Sequence, residues 1–249
     1  MRLISIILGT TVFVLMALAV IYFWGLGQVH PKYDHAFFKQ SPPWIVVPRS
    51  FTEEISTHAE DIIWVEVYQD SHKTLVVDKV DSQMNLAEVL TALKGRRIIL
   101  NIDSNTEDLD RQLAEFLPVY LDSTPILLQS DFDVVLRATK ESLANLPFGS
   151  SQSDRLRLNA FAGMAPWSGG LLPATPFRGD VFITPLKWRA VPLINKVVAQ
   201  EVHRRQKYLI LGPLINQDEL QQAQSLGADG YFTKEMSLLG SLHSLTVAH

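Results

Sequence analysis

The sequence predicts an α/β protein, a TIM-type (β/α)8 barrel preceded by one N-terminal transmembrane helix. Three observations predict it. Short β-branched or aliphatic runs recur along the chain, most of them are separated by a segment of helix length, and the chain opens on an uncharged apolar stretch. Near-continuous apolar strands alternating with amphipathic helices imply a parallel sheet covered by helices. With 249 residues, 47% hydrophobic and 19% charged, the chain can bury one sizeable core, and single-domain α/β barrels commonly reach this size. The expected organisation is an anchor over 1–27, a juxtamembrane linker over 28–43 and a barrel over 44–249.

The anchor is expected because Leu3 to Leu26 carries no charged side chain and is long enough, at 1.5 Å per helical residue, to cross roughly 30 Å of hydrocarbon. Tyr22, Phe23 and Trp24 cluster near its end, where aromatic rings favour the lipid boundary, and Arg2 marks the other side. The competing reading is a cleaved signal peptide with Ala17-Leu18-Ala19 as its A-x-A site, which would leave a new terminus at Val20. The short tail on the Arg2 side favours N-in, C-out, so the body is expected on the extracytoplasmic side of a single-pass membrane protein. Gln28 to Pro43 has no apolar periodicity and ends in Ser41-Pro42-Pro43, which resists helix and sheet.

The strands expected next are Trp44–Val47, Ile62–Tyr68, Leu75–Val80, Ile98–Ile102, Ile126–Gln129, Leu156–Ala160, Val181–Thr184, Tyr208–Leu211 and Gly230–Thr233. Asp70-Ser71-His72-Lys73 reads as a hairpin turn whose second arm is Leu75–Val80; without that arm eight strands remain, the barrel number. Helix starts are marked by Ser50-x-x-Glu53, Asn85-x-x-Glu88, Ser104-x-x-Glu107 and Asn216-x-x-Glu219, each resembling a capping box. Two stretches break the pattern. Pro147 to Asp154 is rich in Gly, Ser and Pro, and Gly163 to Gly179 carries Met164, Trp167, Leu171, Leu172 and Phe177 in a long loop after the fifth expected strand. That loop is either a lid or membrane-touching segment, or an irregular stretch packing its aromatics on the barrel.

Composition narrows function. A net charge of -4 and a pI near 6.0 give no basic footprint, so no nucleic-acid partner is expected. No cysteine is present, which removes disulfides, thiolate nucleophiles and Cys-ligated metals. No Gly-x-Ser-x-Gly, Walker-type loop, dinucleotide fingerprint or His-Glu-x-x-His occurs.

Several stretches resemble the glycerophosphodiester phosphodiesterase family. Ile126-Leu127-Leu128-Gln129-Ser130-Asp131-Phe132-Asp133 with the following Val134 to Arg137 is similar to that family's strand-four "QSF" turn and helix. Leu226 to Thr233 is similar to its closing "GVDGIITD" strand, with Lys234 in place of the aspartate. Ile62–Val80 follows the family's strand two and hairpin, and Leu86–Asp103 its helix and strand three. The resemblance implies a His-Arg pair after strand one, a Glu-x-Asp at strand two, a second His after the hairpin and a Glu-x-Lys at strand three. The carboxylates would hold a divalent cation and the histidines would act as acid and base. Here strand one ends Val47-Pro48-Arg49-Ser50, strand two reads Trp64-Val65-Glu66-Val67-Tyr68, the hairpin is followed by Val77-Asp78-Lys79-Val80, and strand three gives Asn101-Ile102-Asp103.

Those departures set the functional expectation. A hard cation such as Ca²⁺ takes about six to eight oxygens, whereas Glu66, Asp103 and the Asn101 amide offer few, so no metal is expected and weak Ca²⁺ or Mg²⁺ binding is the alternative. Proline and tyrosine cannot replace an imidazole in proton transfer. His30 and His35 fall in the linker, His58 and His203 in expected helices, His72 in the hairpin turn, His243 and His249 in the tail. Strand C-termini build barrel sites, and here they offer Arg49, Glu66, Asn101, Asp103, Gln129, Asn159, Lys187 and Lys234. Arg49, Lys187 and Lys234 are a residual anion-binding set and Glu66, Asn101, Asp103 and Gln129 a residual polar one; alternatively the cations satisfy the carboxylates in an ion network. The expectation is a membrane-tethered pseudoenzyme that binds or scaffolds, with the lipid bilayer, a phosphodiester or other anion, and a protein as partners. The rivals are an active phosphodiesterase with a rearranged site, and a different barrel lineage using Lys187 or Lys234 in Schiff-base chemistry.

Overall fold

The chain starts as helix α1 (Arg2–Leu26), in which Ile6–Phe23 has a mean hydropathy of 2.5 and is exposed along its length. It is long and apolar enough to cross a membrane, and a signal sequence near an N-terminus has the same features. The Thr10 and Thr11 hydroxyls donate back to the Ile6 and Ile7 carbonyls at 2.9 Å, so neither is left unpaired on an apolar surface. This computed structural model describes residues 2–26, 29, 33–54, 58–77, 84–163, 172–189 and 191–247.

The elements that follow are β1 (Trp44–Pro48), α2 (Phe51–Glu54), β2 (Ile62–Gln69), β3 (Leu75–Val77), β4 (Met84–Asn85), α3 (Leu86–Ala92), β5 (Ile98–Ile102), α4 (Leu109–Phe116), α5 (Pro118–Leu121), β6 (Ile126–Ser130), α6 (Asp133–Ser142) and α7 (Gln152–Gly163). After them come β7 (Val181–Thr184), β8 (Lys187–Trp188), β9 (Val191–Pro192), α8 (Lys196–Arg204), β10 (Tyr208–Leu214), α9 (Gln217–Ser225), β11 (Gly230–Thr233) and α10 (Met236–Val247). Seven strands pair in parallel in the order β6-β5-β2-β1-β11-β10-β7. The gap between β6 and β7 is spanned by a single residue: Phe148 bridges Leu128, and its carbonyl accepts from the amides of Asp180 and Val181 at 2.7 and 3.2 Å. Seven strands and this one-residue stave complete a ring of eight, a TIM-like barrel. β3 and β4 extend β2 as an antiparallel hairpin outside the ring.

Both faces of the ring are buried, which is why its strands read as unbroken apolar runs. Val46, Ile62, Ile99, Leu127, Ile183 and Ile210 fill the interior, while their strand neighbours Val47, Ile63, Leu100, Leu128, Phe182 and Leu211 pack under the helices. The base of the barrel is closed by part of the expected linker. A 3-10 turn, Ala36–Phe38, is capped by His35 Nδ1 accepting from the Phe37 amide at 3.1 Å, and Phe37 is 0% exposed. Phe38 stacks on Tyr208 at 4.9 Å and Phe37 meets Trp44 edge-on at 6.3 Å. Arg97 lies 5.8 Å from the Trp44 ring and donates to the Glu60 carbonyl at 2.6 Å; burial lowers its pKa to about 10. At this same end α1 runs beside the 3-10 turn Leu172–Ala174, whose Leu172 and Pro173 carbonyls accept from Arg205 at the end of α8.

Three expectations need correction. Leu156–Ala160 is helix, not strand. Ser151 Oγ accepts from the Asp154 amide and the Asp154 carboxylate accepts from the Ser151 amide, a reciprocal capping box that opens α7, and the buried residues Asp154, Leu158 and Ala162 recur every four positions. Ser104 caps nothing: it accepts from the Gln69 amide at 3.1 Å, and α4 starts at Leu109. His58 sits in the turn before β2, not in a helix. Asn85 and Asn216 do cap α3 and α9. Of the expected second hairpin arm, Leu75–Val77 is strand and 78–80 lie outside the described residues, as do Met164, Trp167 and Leu171 in the long loop; its Leu172 and Phe177 are buried against the barrel.

Candidate functional site

Parallel register builds the mouth. Glu66 pairs with Asn101 and Asn101 with Gln129 across β2, β5 and β6, so the three stand side by side one layer above the apolar filling. Interior positions alternate, and the next one after Phe232, just past the end of β11, is Lys234. Lys234 Nζ lies 2.9 Å from Glu66 Oε1, and the Tyr68 hydroxyl donates to Glu66 Oε2 at 2.9 Å. Burial pushes the Glu66 carboxyl up, but the Lys234 and Tyr68 hydrogen bonds and the Lys234 charge outweigh it and hold its pKa below the ordinary carboxylate value. The Trp64 indole N–H adds to that stabilisation without completing a hydrogen bond of its own.

Trp64 and Phe232 stack at 4.6 Å with planes 15° apart and form the floor of a cavity of about 200 Å³. Its walls include Glu66, Asn101, Asp103, Gln129 and Lys234, and one side is made by Asp131 and Arg155, paired at 2.5 Å. Arg155 also donates to the Ile183 carbonyl at 3.2 Å. An adjoining hollow of about 220 Å³ shares Trp64, Glu66 and Lys234 and adds Arg49. Gly212 on β10 forms part of the rim; its φ of +148° and the Phe232 carbonyl against its Cα leave no room for a side chain. Gln129 is buried at 1% exposure and donates through Nε2 to the Ser150 carbonyl at 2.9 Å, so it braces the one-residue stave at Phe148-Gly149 as well as lining the cavity.

The structure therefore brings Glu66, Asn101, Asp103, Gln129 and Lys234 into one cavity, with Arg49 next door. Lys187 is not with them: on the β8–β9 hairpin it pairs with Glu219 at 2.9 Å. Asn159, offered as a strand end, lies in α7 and donates to the Arg155 carbonyl at 2.9 Å and to that of Leu193. The Asp131–Arg155 pair was missed, because reading Leu156–Ala160 as strand sent Arg155 to the wrong end of the barrel. The described histidines lie elsewhere. His243 Nε2 is 3.1 Å from Asp61 and stacks on His58 at the base, His203 pairs with Asp229 at the start of β11, and His72 is in the hairpin turn. Among the described residues no three His, Cys, Asp or Glu side chains come close enough together to hold a metal ion. A separate cavity of about 210 Å³ lies on the outer wall at the stave, between α6 and Gly149.

Comparison with solved structures settles the fold. The chain has the glycerophosphodiester phosphodiesterase fold. It is similar to a glycerophosphoryl diester phosphodiesterase from Parabacteroides distasonis (11% identity, 90% of this chain and 92% of that one, TM-score 0.53). It is similar also to a glycerophosphoryl diester phosphodiesterase domain from Mycobacterium tuberculosis (12%, 77% and 96%, TM-score 0.55). A third likeness is to an Oleispira antarctica phosphodiesterase in complex with the product sn-glycerol-3-phosphate (10%, 77% and 93%, TM-score 0.51). No family model and no curated protein sequence matches the chain.

Proposed function

We propose that this protein is a membrane-tethered, catalytically degenerate barrel of the glycerophosphodiester phosphodiesterase fold that binds a ligand at its mouth without hydrolysing it. The observation carrying this reading is that Lys234 and Glu66 neutralise each other at 2.9 Å in the layer where barrel chemistry takes place, with no imidazole among the described residues lining the cavity. General acid-base cleavage of a diester needs groups that exchange protons near neutrality. An ionised carboxylate locked to an ammonium does not. A divalent cation would find Glu66, Asp103 and the Asn101 amide here, a donor set that suits weak Ca²⁺ or Mg²⁺ binding at most.

The apolar length of α1 supports the tether. The deciding experiment is a hydrolysis assay of the full chain in detergent on glycerophosphodiesters with Ca²⁺ or Mg²⁺. No turnover above a chelator control is expected; chelator-sensitive release of product would overturn the reading in favour of an active phosphodiesterase. Carbonate extraction and protease protection of membranes test the tether, which is wrong if the chain washes off or begins at Val20.

A further inference from the structure

We propose that the mouth takes a neutral, hydroxyl-rich ring, a sugar, and not a phosphate ester; this rests on the binding-module reading and names its ligand. Asp131, Asp103 and Glu66 face Lys234 and Arg155 in the cavity, and Arg49 in the adjoining hollow brings the total to zero. An anion meets no net positive charge there. To be gripped it must take Lys234 from Glu66 or Arg155 from Asp131, leaving a carboxylate without its cation, so one pairing is exchanged for another with little net gain.

A neutral ring asks for neither. Asp131, paired to Arg155 through Oδ1, keeps its second oxygen as an acceptor for hydroxyl donors, and Asn101 offers an amide that both donates and accepts. The floor supplies the other half of the recognition. Trp64 and Phe232, stacked on each other at 4.6 Å and only 8% and 3% exposed, close the bottom of a cavity of about 200 Å³ with apolar ring atoms. The apolar C–H side of a sugar can pack on these ring atoms while its hydroxyls reach the walls. A few placed polar groups over an apolar floor is the general build of a small-molecule site.

The test is thermal shift and calorimetry on the full chain in detergent with glucose, galactose, mannose and ribose in one arm, and inorganic phosphate and sn-glycerol 3-phosphate in the other. At least one sugar is expected to raise Tm at millimolar concentration, with an affinity unchanged between low and high salt. Asn101→Ala and Asp103→Asn, both at the accessible mouth, should each weaken that sugar tenfold or more with Tm of the free protein unchanged. Trp64→Phe should weaken it while keeping the floor filled. Binding of the phosphates alone, weakening with salt, overturns the proposal and leaves the non-hydrolysing reading standing. Silence of every sugar overturns it as well, and turnover in the assay above defeats both.

Discussion

Two carboxyls that burial pushes in the same direction end with opposite net shifts. Glu66 is ionised below its ordinary range because Lys234 and Tyr68 outweigh desolvation, so its contribution to stability is present above its unfolded value, about 4.3, and is lost as pH falls through the lower folded value. Lys234→Met is therefore expected to move the Glu66 pKa upward, read by carbon-detected NMR titration; no movement would mean the ion pair does not form in solution. Asp154 is the reverse. Burial raises its pKa against the Ser151 hydrogen bonds and the Arg157 charge, so its folded form favours the proton and its contribution fades as pH rises through the folded value. Asp154→Asn keeps the acceptor for the Ser151 amide without a buried charge. Tm at pH 7 is expected to hold or rise, with any gain shrinking toward pH 3, and a drop of several degrees at pH 7 would show that the carboxylate itself is needed. At this scale the sequence showed Arg49, Glu66, Asn101, Asp103, Gln129 and Lys234, because each ends an apolar run. It hid Trp64 and Phe232 as a floor, since an aromatic inside a strand reads the same whether it faces core or cavity.

Strands were legible where both faces are buried, and the helix misread as a strand had a visible marker. Ser151-x-x-Asp154 is a capping box with the shorter acid, and it signals a helix start at a place where Leu156-Arg157-Leu158 imitates strand alternation. The one-residue stave at Phe148 could not be read, because a single residue has no period. Helix α8 is held by a motif of another kind. Glu201 accepts from Arg204 at 2.7 and 2.8 Å and from Arg205 at 2.6 Å, and Arg205 spends its other donors on the Thr175, Leu172 and Pro173 carbonyls. Glu201 and Arg205 are 6% and 3% exposed, so Glu201→Ala leaves a buried guanidinium unbalanced and is expected to cost about 3–5 kcal/mol in chemical denaturation. Arg204→Ala, at the surface end of the same motif, should cost no more than about 1 kcal/mol. Equal losses would mean that the motif is not divided in this way.

The molecule as a whole is a ring with two ends that differ in charge and apolar pattern. The mouth gathers exposed polar groups around a small aromatic floor, while the base is sealed by residues that the sequence presents as linker. Phe37 and Phe38 follow a proline and precede two more, and nothing in that composition announces a plug; only the ring's open end, lined by Trp44 and Tyr208, gives the two rings somewhere to go. The packed body therefore takes in Phe37 and Phe38, ahead of Trp44. A chain starting at Val29 is expected to melt within a few degrees of the full protein, because α1 is exposed along its apolar length. A chain starting at Gln40 removes the plug and opens the interior beneath Val46 and Ile210. It should lose at least as much as Phe37→Ala, for which emptying a fully buried aromatic site costs about 3–5 kcal/mol. If the Gln40 start and the Val29 start unfold at the same denaturant concentration, the base is closed by something other than these two phenylalanines.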